Sequence, residues 1–99
     1  MGFNTELLHG TKTGDPVTGA TLTPVYQSSA FFQPSAEQHE KLFHNKAAGY
    51  SYTRINNPTI AAFEERMTVL EKGVASVACA SGMAAITNAL LNIVGSGDE

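Results

Sequence analysis

The sequence has one cysteine, no tryptophan and only six lysines and arginines among its 99 residues. A single cysteine, Cys79, cannot form an internal disulfide, and the first residues lack a signal-peptide pattern, so we expect a cytoplasmic protein. Six basic residues against nine acidic ones give a net charge of −3, which argues against binding to nucleic acid or anionic lipid. Polar residues interrupt the longest mostly apolar stretch, 75–94, so no membrane span is predicted.

The first half of the chain is rich in residues that break regular structure. Glycines, prolines, serines and threonines are dense over 10–34, which predicts an extended arm rather than a long helix or strand. Ser35, followed by Gln38 three residues later, is typical of a capping box and predicts a short helix that reaches about His44. We therefore expect residues 1–57 to form an extended N-terminal arm with one short helix.

The next segment has the pattern of an amphipathic helix. Asn57 is a good N-cap, Pro58 suits the first helical position, and Gly73 is the predicted stop. The apolar positions recur at helical spacing and comprise Ile60, Phe63, Met67 and Leu70. The opposite face, which we expect to be solvated, carries Glu64, Glu65, Thr68 and Lys72.

Residues 58–99 read as helix, strand and helix. The short apolar run 74–80 predicts a strand covered on both faces, and Ser81 and Gly82 open a second, largely apolar helix from Met83 to about Val94. Residues 95–98 are predicted to end this helix. A buried strand needs neighbours on both edges, and this chain offers none. We expect an α/β fold in which 58–99 begin a larger domain that is incomplete here.

Two apparent sites are better explained by ordinary structure. His39 and His44 nearly match a zinc-binding helix motif, but five positions separate them, which turns the two imidazoles to different sides of a helix. We interpret them as part of a solvated face. Cys79 lies within the predicted strand, so a core thiol is a better interpretation than a nucleophile.

The turn formed by Ser81, Gly82 and Met83 is a candidate anion site. It follows a predicted strand and begins a helix, where free N–H groups and the helix dipole favour negative charge. Gly82 would let a phosphate approach the backbone, and the Ser81 hydroxyl adds a donor. A tight strand-to-helix connection with no ligand would have the same pattern.

Tyr52 and Arg54 form a second candidate. Two residues apart in an extended segment, a phenol and a guanidinium point the same way and could grip one phosphate. An exposed loop whose side chains only cover surface is the alternative for this segment taken alone.

Three ordered motifs, 22–29 (LTPVYQSS), 52–59 (YTRINNPT) and 80–86 (ASGMAAI), resemble the N-terminal part of the Cys/Met-metabolism PLP-dependent enzymes. The resemblance extends from about His9 to Asp98. The segment between Phe32 and Tyr52, together with the form of the Tyr-Thr-Arg motif, favours the O-acetylhomoserine sulfhydrylases within the family. It implies the start of a large domain of fold type I, similar to aspartate aminotransferase, with pyridoxal phosphate (PLP) as cofactor.

The resemblance also implies roles for particular residues. Ser81, Gly82 and Met83 would hold the PLP phosphate of their own subunit, while Tyr52 and Arg54 would reach the phosphate in a neighbouring subunit of a dimer of dimers. Intact members carry out γ-replacement or elimination on O-acylhomoserine or cysteine-type substrates. Their Schiff-base lysine and substrate-binding arginine have no match here, and the four lysines present match neither role: Lys12, Lys41, Lys46 and Lys72.

Three interpretations of the chain remain open at this point. In the first, it is the N-terminal piece of such an enzyme and is inactive by itself. Alternatively it is a non-catalytic truncated subunit that pairs with a full-length enzyme, or an unrelated small phosphate-binding α/β module.

Overall fold

Four helices joined by long non-helical segments make up the regular structure. The structure, a computed structural model, describes residues 2–11 and 14–99. The helices are α1 (Phe3–His9), α2 (Ala36–Phe43), α3 (Pro58–Leu70) and α4 (Gly82–Ile93). Within the described ranges, one isolated β-bridge pairs Ala30 with Tyr52 in antiparallel orientation.

Helices α2 and α3 begin at the predicted capping residues, and α4 begins one residue before the predicted Met83, with Ser81 as its cap. Each cap accepts a hydrogen bond from a backbone N–H in the first turn, and losing such a cap costs about 1 kcal/mol. The bonds run from Gln38 to Ser35 at 3.1 Å, from Thr59 to Asn57 at 2.8 Å and from Ala84 to Ser81 at 3.1 Å. The predicted starts of α2 and α3 are therefore confirmed.

Helix α1 was not expected, because its N-cap Gly2 has no side chain to accept a bond and the helix is only seven residues long. A tertiary contact stabilises it instead. Arg66, on α3, donates through Nε to Thr11 Oγ1 at 3.0 Å and through Nη1 to the carbonyl of Leu7. The start of the arm is thus a helix that lies on α3, rather than extended chain.

The end of α3 differs in detail from the prediction. Lys72, not Gly73, takes the left-handed conformation, with φ of 55°. The Lys72 N–H bonds to the Val69 carbonyl at 3.1 Å, and the Gly73 N–H bonds to the Thr68 carbonyl at 2.9 Å. This is a Schellman motif with lysine in the position usually taken by glycine.

The predicted strand at 74–80 is not formed in the described part of the chain. These residues are non-helical and unpaired, because a strand is defined by its ladder and no neighbouring strand is present to make one. Side chains of α3 hold the segment instead. Glu64 Oε1 accepts from the Ala78 N–H at 2.8 Å, and the hydroxyl oxygens of Thr68 and Ser76 lie 2.8 Å apart.

Of the eight positions assigned to the two faces of α3, four agree with the prediction and four differ from it. Glu64 and Thr68, expected to be solvated, face segment 74–80 and are half-buried. Ile60 and Phe63, expected in a core, are 47% and 55% exposed. Polar contacts made within the chain, rather than apolar burial, decide which side of α3 is covered here.

No hydrophobic side chain among the described residues is buried, and the single buried residue is Asn57. The accessible surface is 8120 Å², against roughly 5,400 Å² for a folded monomer of this mass. The radius of gyration is 16.7 Å, against about 13 Å for a compact domain of 100 residues. The chain therefore presents its apolar surface outward.

Helix α4 shows this most clearly. Its apolar stripe, Met83, Ile86, Leu90 and Ile93, is exposed by half or more at every position. Asn88 Nδ2 lies 3.5 Å from Cys79 Sγ, and Cys79 is half-buried rather than a core thiol, because no further layer covers it. None of the described helices combines the length and apolar character needed to cross a membrane.

Candidate functional site

Residues 52–55, which we call the Tyr52 turn, form the first candidate site. The arm fixes the start of the turn through an antiparallel contact: the Phe31 N–H bonds to the Ser51 carbonyl at 3.0 Å and the Thr53 N–H bonds to the Ser29 carbonyl at 2.8 Å. The Tyr52 carbonyl then accepts from the N–H of Ile55 at 3.0 Å. The segment is therefore a turn, rather than the extended segment that the sequence predicts.

The two predicted site residues of this turn do lie together. The Arg54 guanidinium carbon is 5.2 Å from the centroid of the Tyr52 ring. Such a cation–π contact at an exposed site contributes about 0.5–1 kcal/mol. Both side chains are exposed, so the phenol and the guanidinium form one polar, cationic surface that is open to an anion.

Asn57 and Thr53 connect the Tyr52 turn to its surroundings. Asn57 Nδ2 donates to the Tyr26 carbonyl at 3.0 Å and to Thr53 Oγ1 at 3.2 Å. Thr53 Oγ1 donates in turn to the Ser28 carbonyl. The Tyr26 N–H bonds to Thr59 Oγ1 at 2.8 Å. The arm, the turn and the start of α3 therefore share one hydrogen-bond network.

Helix α2 contacts the same segment through His39, whose Nε2 lies 3.0 Å from Ser51 Oγ. His44 instead faces Glu40, with Nε2 and Oε1 3.9 Å apart. The two histidines of the apparent zinc motif thus have different partners. Across 2–11 and 14–99, no group of three or more His, Cys, Asp or Glu side chains is arranged to hold a metal ion.

An open cleft of about 660 Å³, which was not predicted from the sequence, lies beside the Tyr52 turn. Leu42, Tyr50, Ile55 and Glu64 are among the residues that line it. Gly49 allows this shape, because a Cβ there would come within 3.0 Å of Leu42 Cδ2. An isolated glycine in a loop was the one local signal.

The second candidate site is the entrance of α4, formed by Ser81, Gly82 and Met83. Ser81 accepts through Oγ from the Ala84 N–H and through its carbonyl from the Ala85 N–H, both at 3.1 Å. Within the described ranges the N–H groups of Gly82 and Met83 have no protein acceptor. Two unpaired donors therefore point out of a twelve-residue helix at the positive end of its dipole.

Space at the α4 entrance suits a phosphate. A Cβ on Gly82 would meet no atom within 4 Å, so the backbone is open to a ligand. Phosphate oxygens accept hydrogen bonds and carry negative charge, which matches two free amides at a helix N-terminus. The Ser81 oxygen is already used as the cap, so its hydroxyl proton remains as a third donor.

The two candidate sites are not joined within this chain. In the part of the chain that the structure describes, no hydrogen bond, ion pair or ring contact links Tyr52 or Arg54 to the α4 entrance. Each site is exposed separately.

Comparison with known proteins points to one family. The profile of the Cys/Met metabolism PLP-dependent enzymes matches residues 4–99. An O-acetyl-L-homoserine sulfhydrylase of Corynebacterium glutamicum is 45% identical over 98 residues, which is 99% of this chain and 22% of the relative. A cystathionine gamma-lyase of Bacillus subtilis is 47% identical over 99 residues, which is 24% of that protein.

Solved structures agree. A Campylobacter jejuni protein assigned as an O-acetylhomoserine (thiol)-lyase, whose structure contains N'-pyridoxyl-lysine-5'-monophosphate, matches with a TM-score of 0.88 at 33% identity over 99% of this chain and 24% of its own. Cystathionine gamma-lyase of Lactobacillus plantarum, complexed with L-serine, matches with a TM-score of 0.79 at 40% identity over 99% of this chain and 23% of its own. The chain thus spans about a quarter of the length of these proteins.

Proposed function

Because this chain belongs to the Cys/Met metabolism PLP-dependent enzyme family, we propose that it forms the phosphate-binding part of an enzyme acting on sulfur amino acids. The cofactor of the family is PLP. The observation that carries the assignment is the pair of unpaired N–H groups of Gly82 and Met83 at the N-terminus of α4. Every α-helix leaves its first N–H groups without a partner in the helix, and here the space in front of them is open to a ligand.

In this proposal the α4 entrance binds the cofactor phosphate. The Gly82 and Met83 amides and the Ser81 hydroxyl donate to its oxygens, and the helix dipole compensates its charge. When bound, PLP supplies the electron sink for the amino-acid chemistry. The contribution of these residues is to orient the cofactor from its phosphate end.

Tyr52 and Arg54 complete the grip from a neighbouring subunit. Their exposure, and the absence of a contact to the α4 entrance within the described residues, support this arrangement. It requires a homo-oligomer, which we propose to be a dimer of dimers in the cytoplasm. The guanidinium would form a charge-assisted pair with the phosphate, and the phenol would add a hydrogen bond.

The proposed reactions are γ-replacement or elimination on an O-acylhomoserine or cysteine-type substrate, of the transferase or lyase class. The two relatives, a sulfhydrylase and a lyase, support this range without selecting one reaction. The proposed domain division keeps 1–57 as the arm and 58–99 as the beginning of the PLP-binding α/β domain.

We expect the 99-residue chain by itself to be inactive, because no lysine in it matches the cofactor-binding lysine of the family. Lys41, Lys46 and Lys72 are exposed, and Lys12 lies outside the described residues. Purified chain mixed with PLP should therefore show no stoichiometric visible absorption band. A band that disappears when one of these four lysines is replaced would contradict the assignment.

The test of the proposal needs a complete enzyme. We define the fusion enzyme as the C. glutamicum sulfhydrylase with its matching N-terminal quarter replaced by this chain. Losing a charge-assisted contact costs about 1.5–3 kcal/mol, so Arg54→Ala should weaken PLP affinity by about one to two orders of magnitude. PLP content after dialysis and titration of the apoenzyme measure it.

Lys41→Ala is the matched control, since it also removes an exposed positive charge but lies on α2, outside the Tyr52 turn. Its PLP affinity should stay within about twofold of the parent fusion. Equal PLP affinity for Arg54→Ala and Lys41→Ala would refute a phosphate role for Arg54.

A further inference from the structure

Asn57 makes more hydrogen bonds than its position at the N-terminus of α3 requires. Its Oδ1 accepts from the Thr59 N–H at 2.8 Å, which is the complete function of an N-cap. Its Nδ2 makes two further bonds, to the Tyr26 carbonyl at 3.0 Å and to Thr53 Oγ1 at 3.2 Å. Aspartate would cap α3 equally well but, when ionised, has no proton to donate.

Burial sets Asn57 apart as well. It is 3% exposed, and every other described residue is more exposed. A buried amide has to satisfy both its oxygen and its nitrogen, since an unpaired polar group in such a position is costly. The local fold therefore satisfies the Asn57 Nδ2 donor as well as the Oδ1 acceptor that caps α3.

The bonds from Nδ2 lead to the residue between the two proposed phosphate ligands. Thr53 lies between Tyr52 and Arg54, its hydroxyl accepts from Asn57 and donates to the Ser28 carbonyl, and its N–H bonds to the Ser29 carbonyl. The Tyr52 and Arg54 side chains have only each other as a ring or ion contact in the described ranges. Their direction thus depends on how firmly the backbone of the turn is held.

We infer that Asn57 is a positioning residue for cofactor binding: its Nδ2 locks the Tyr52 turn to the arm and to α3, so that Tyr52 and Arg54 are aimed at the phosphate before it arrives. The inference rests on the proposed function. A preorganised grip loses little conformational freedom on binding, which improves affinity without a new contact.

The test uses the fusion enzyme with Asn57→Asp, which keeps the cap acceptor and removes both Nδ2 bonds. The PLP dissociation constant should rise about tenfold, as expected for lost hydrogen bonds. With PLP saturating, the substrate KM should stay within about twofold. Ser35→Ala, which removes the cap of α2, serves as the control for a merely structural change and should leave the PLP dissociation constant unchanged.

A double-mutant cycle separates positioning from general stability. If Asn57 acts through Arg54, then Asn57→Asp added to Arg54→Ala should weaken PLP binding by less than about twofold further. Thr53→Val provides a second route that leaves Asn57 intact: it should weaken PLP binding severalfold, and Thr53→Ser should restore it.

The results of these measurements either support or overturn the positioning role of Asn57. Additive effects of Asn57→Asp and Arg54→Ala, or an unchanged PLP dissociation constant for both Asn57→Asp and Thr53→Val, would overturn the inference while leaving the proposed function standing. If Asn57→Asp does not fold, the Thr53 pair decides alone. If Arg54→Ala itself leaves PLP affinity unchanged, the assigned role of Arg54 fails and the inference fails with it.

Discussion

The Tyr52 turn and helix α4 are both proposed to bind the same phosphate, yet they are held in opposite ways. The turn is tied by backbone and side-chain hydrogen bonds to the arm, to α2 and to the start of α3. Helix α4 has its own cap and one weak Asn88 to Cys79 contact, while its apolar stripe is exposed. Polar bonding can build a recognition loop within a short chain, whereas an apolar helix is placed only by the surface that covers it.

The exposed state of α4 can be examined directly in the 99-residue chain alone. With α4 uncovered, we expect the chain to associate at micromolar concentration, because exposed apolar stripes aggregate. We also expect it to show no cooperative thermal transition. Ile86→Glu together with Leu90→Glu should suppress the association, whereas Asn92→Glu, on another side of α4, should not. Sedimentation and calorimetry measure both properties. A sharp, cooperative transition of a monomer would contradict this expectation.

The α4 side of the grip is tested by filling the open space at Gly82. In the fusion enzyme Gly82→Val should reduce PLP affinity by about two orders of magnitude, since a branched side chain keeps phosphate from two N–H donors. Gly2→Ala, at the start of α1, also adds a Cβ in open space and is the control. PLP titration with a parallel thermal-shift measurement distinguishes lost binding from lost folding. Full PLP affinity in a folded Gly82→Val enzyme would exclude the α4 entrance as the phosphate site.

Whether the two regions meet only between subunits can be tested by mixing. Arg54→Ala fusion subunits are combined with subunits that lack the cofactor-binding lysine of the C. glutamicum portion, and activity is assayed at limiting PLP. If Arg54 serves its neighbour, one of the two sites in each hybrid dimer is complete, and about a quarter of full activity returns on random mixing. Hybrids that assemble but stay inactive would show that Arg54 acts within its own subunit.

The smallest expected effect lies in the arm, away from both regions. Hydrogen bonds from the Val17 N–H and then the Thr18 hydroxyl lower the pKa of Asp15. A depressed carboxyl pKa stabilises the folded turn above the pKa of the unfolded chain, and that stabilisation is lost as pH falls through the folded value. Carbon NMR titration should show a lower Asp15 pKa in buffer than in urea. Identical values would show that the turn is not formed.

Local signals made the helix starts predictable. Ser35, Asn57 and Ser81 each cap a helix through a bond that spans only two or three residues, so the pattern is visible in the sequence. The two candidate sites were identified for the same reason: each consists of neighbouring residues. The family resemblance then supplied the fold and the cofactor, and both were confirmed by comparison.

Contacts between distant residues made the rest unpredictable. Helix α1 depends on Arg66, the covered side of α3 depends on the Glu64 bond to Ala78, and the bend at Tyr52 depends on its pairing opposite Ala30. None of these pairs has a spacing pattern that marks it in the sequence. Asn57 was predicted as a cap, but its Nδ2 bonds to the arm and to Thr53 could not be anticipated.

The positions of the Asn57 partners along the chain determine which part of it can fold first during synthesis. Its two Nδ2 partners, Tyr26 and Thr53, precede it in the chain, and its cap partner Thr59 follows directly. At about 5–20 residues per second on the ribosome, all of them are made within a few seconds of one another, before any of α4. The polar loop can therefore close on the nascent chain before the exposed apolar helix α4 emerges.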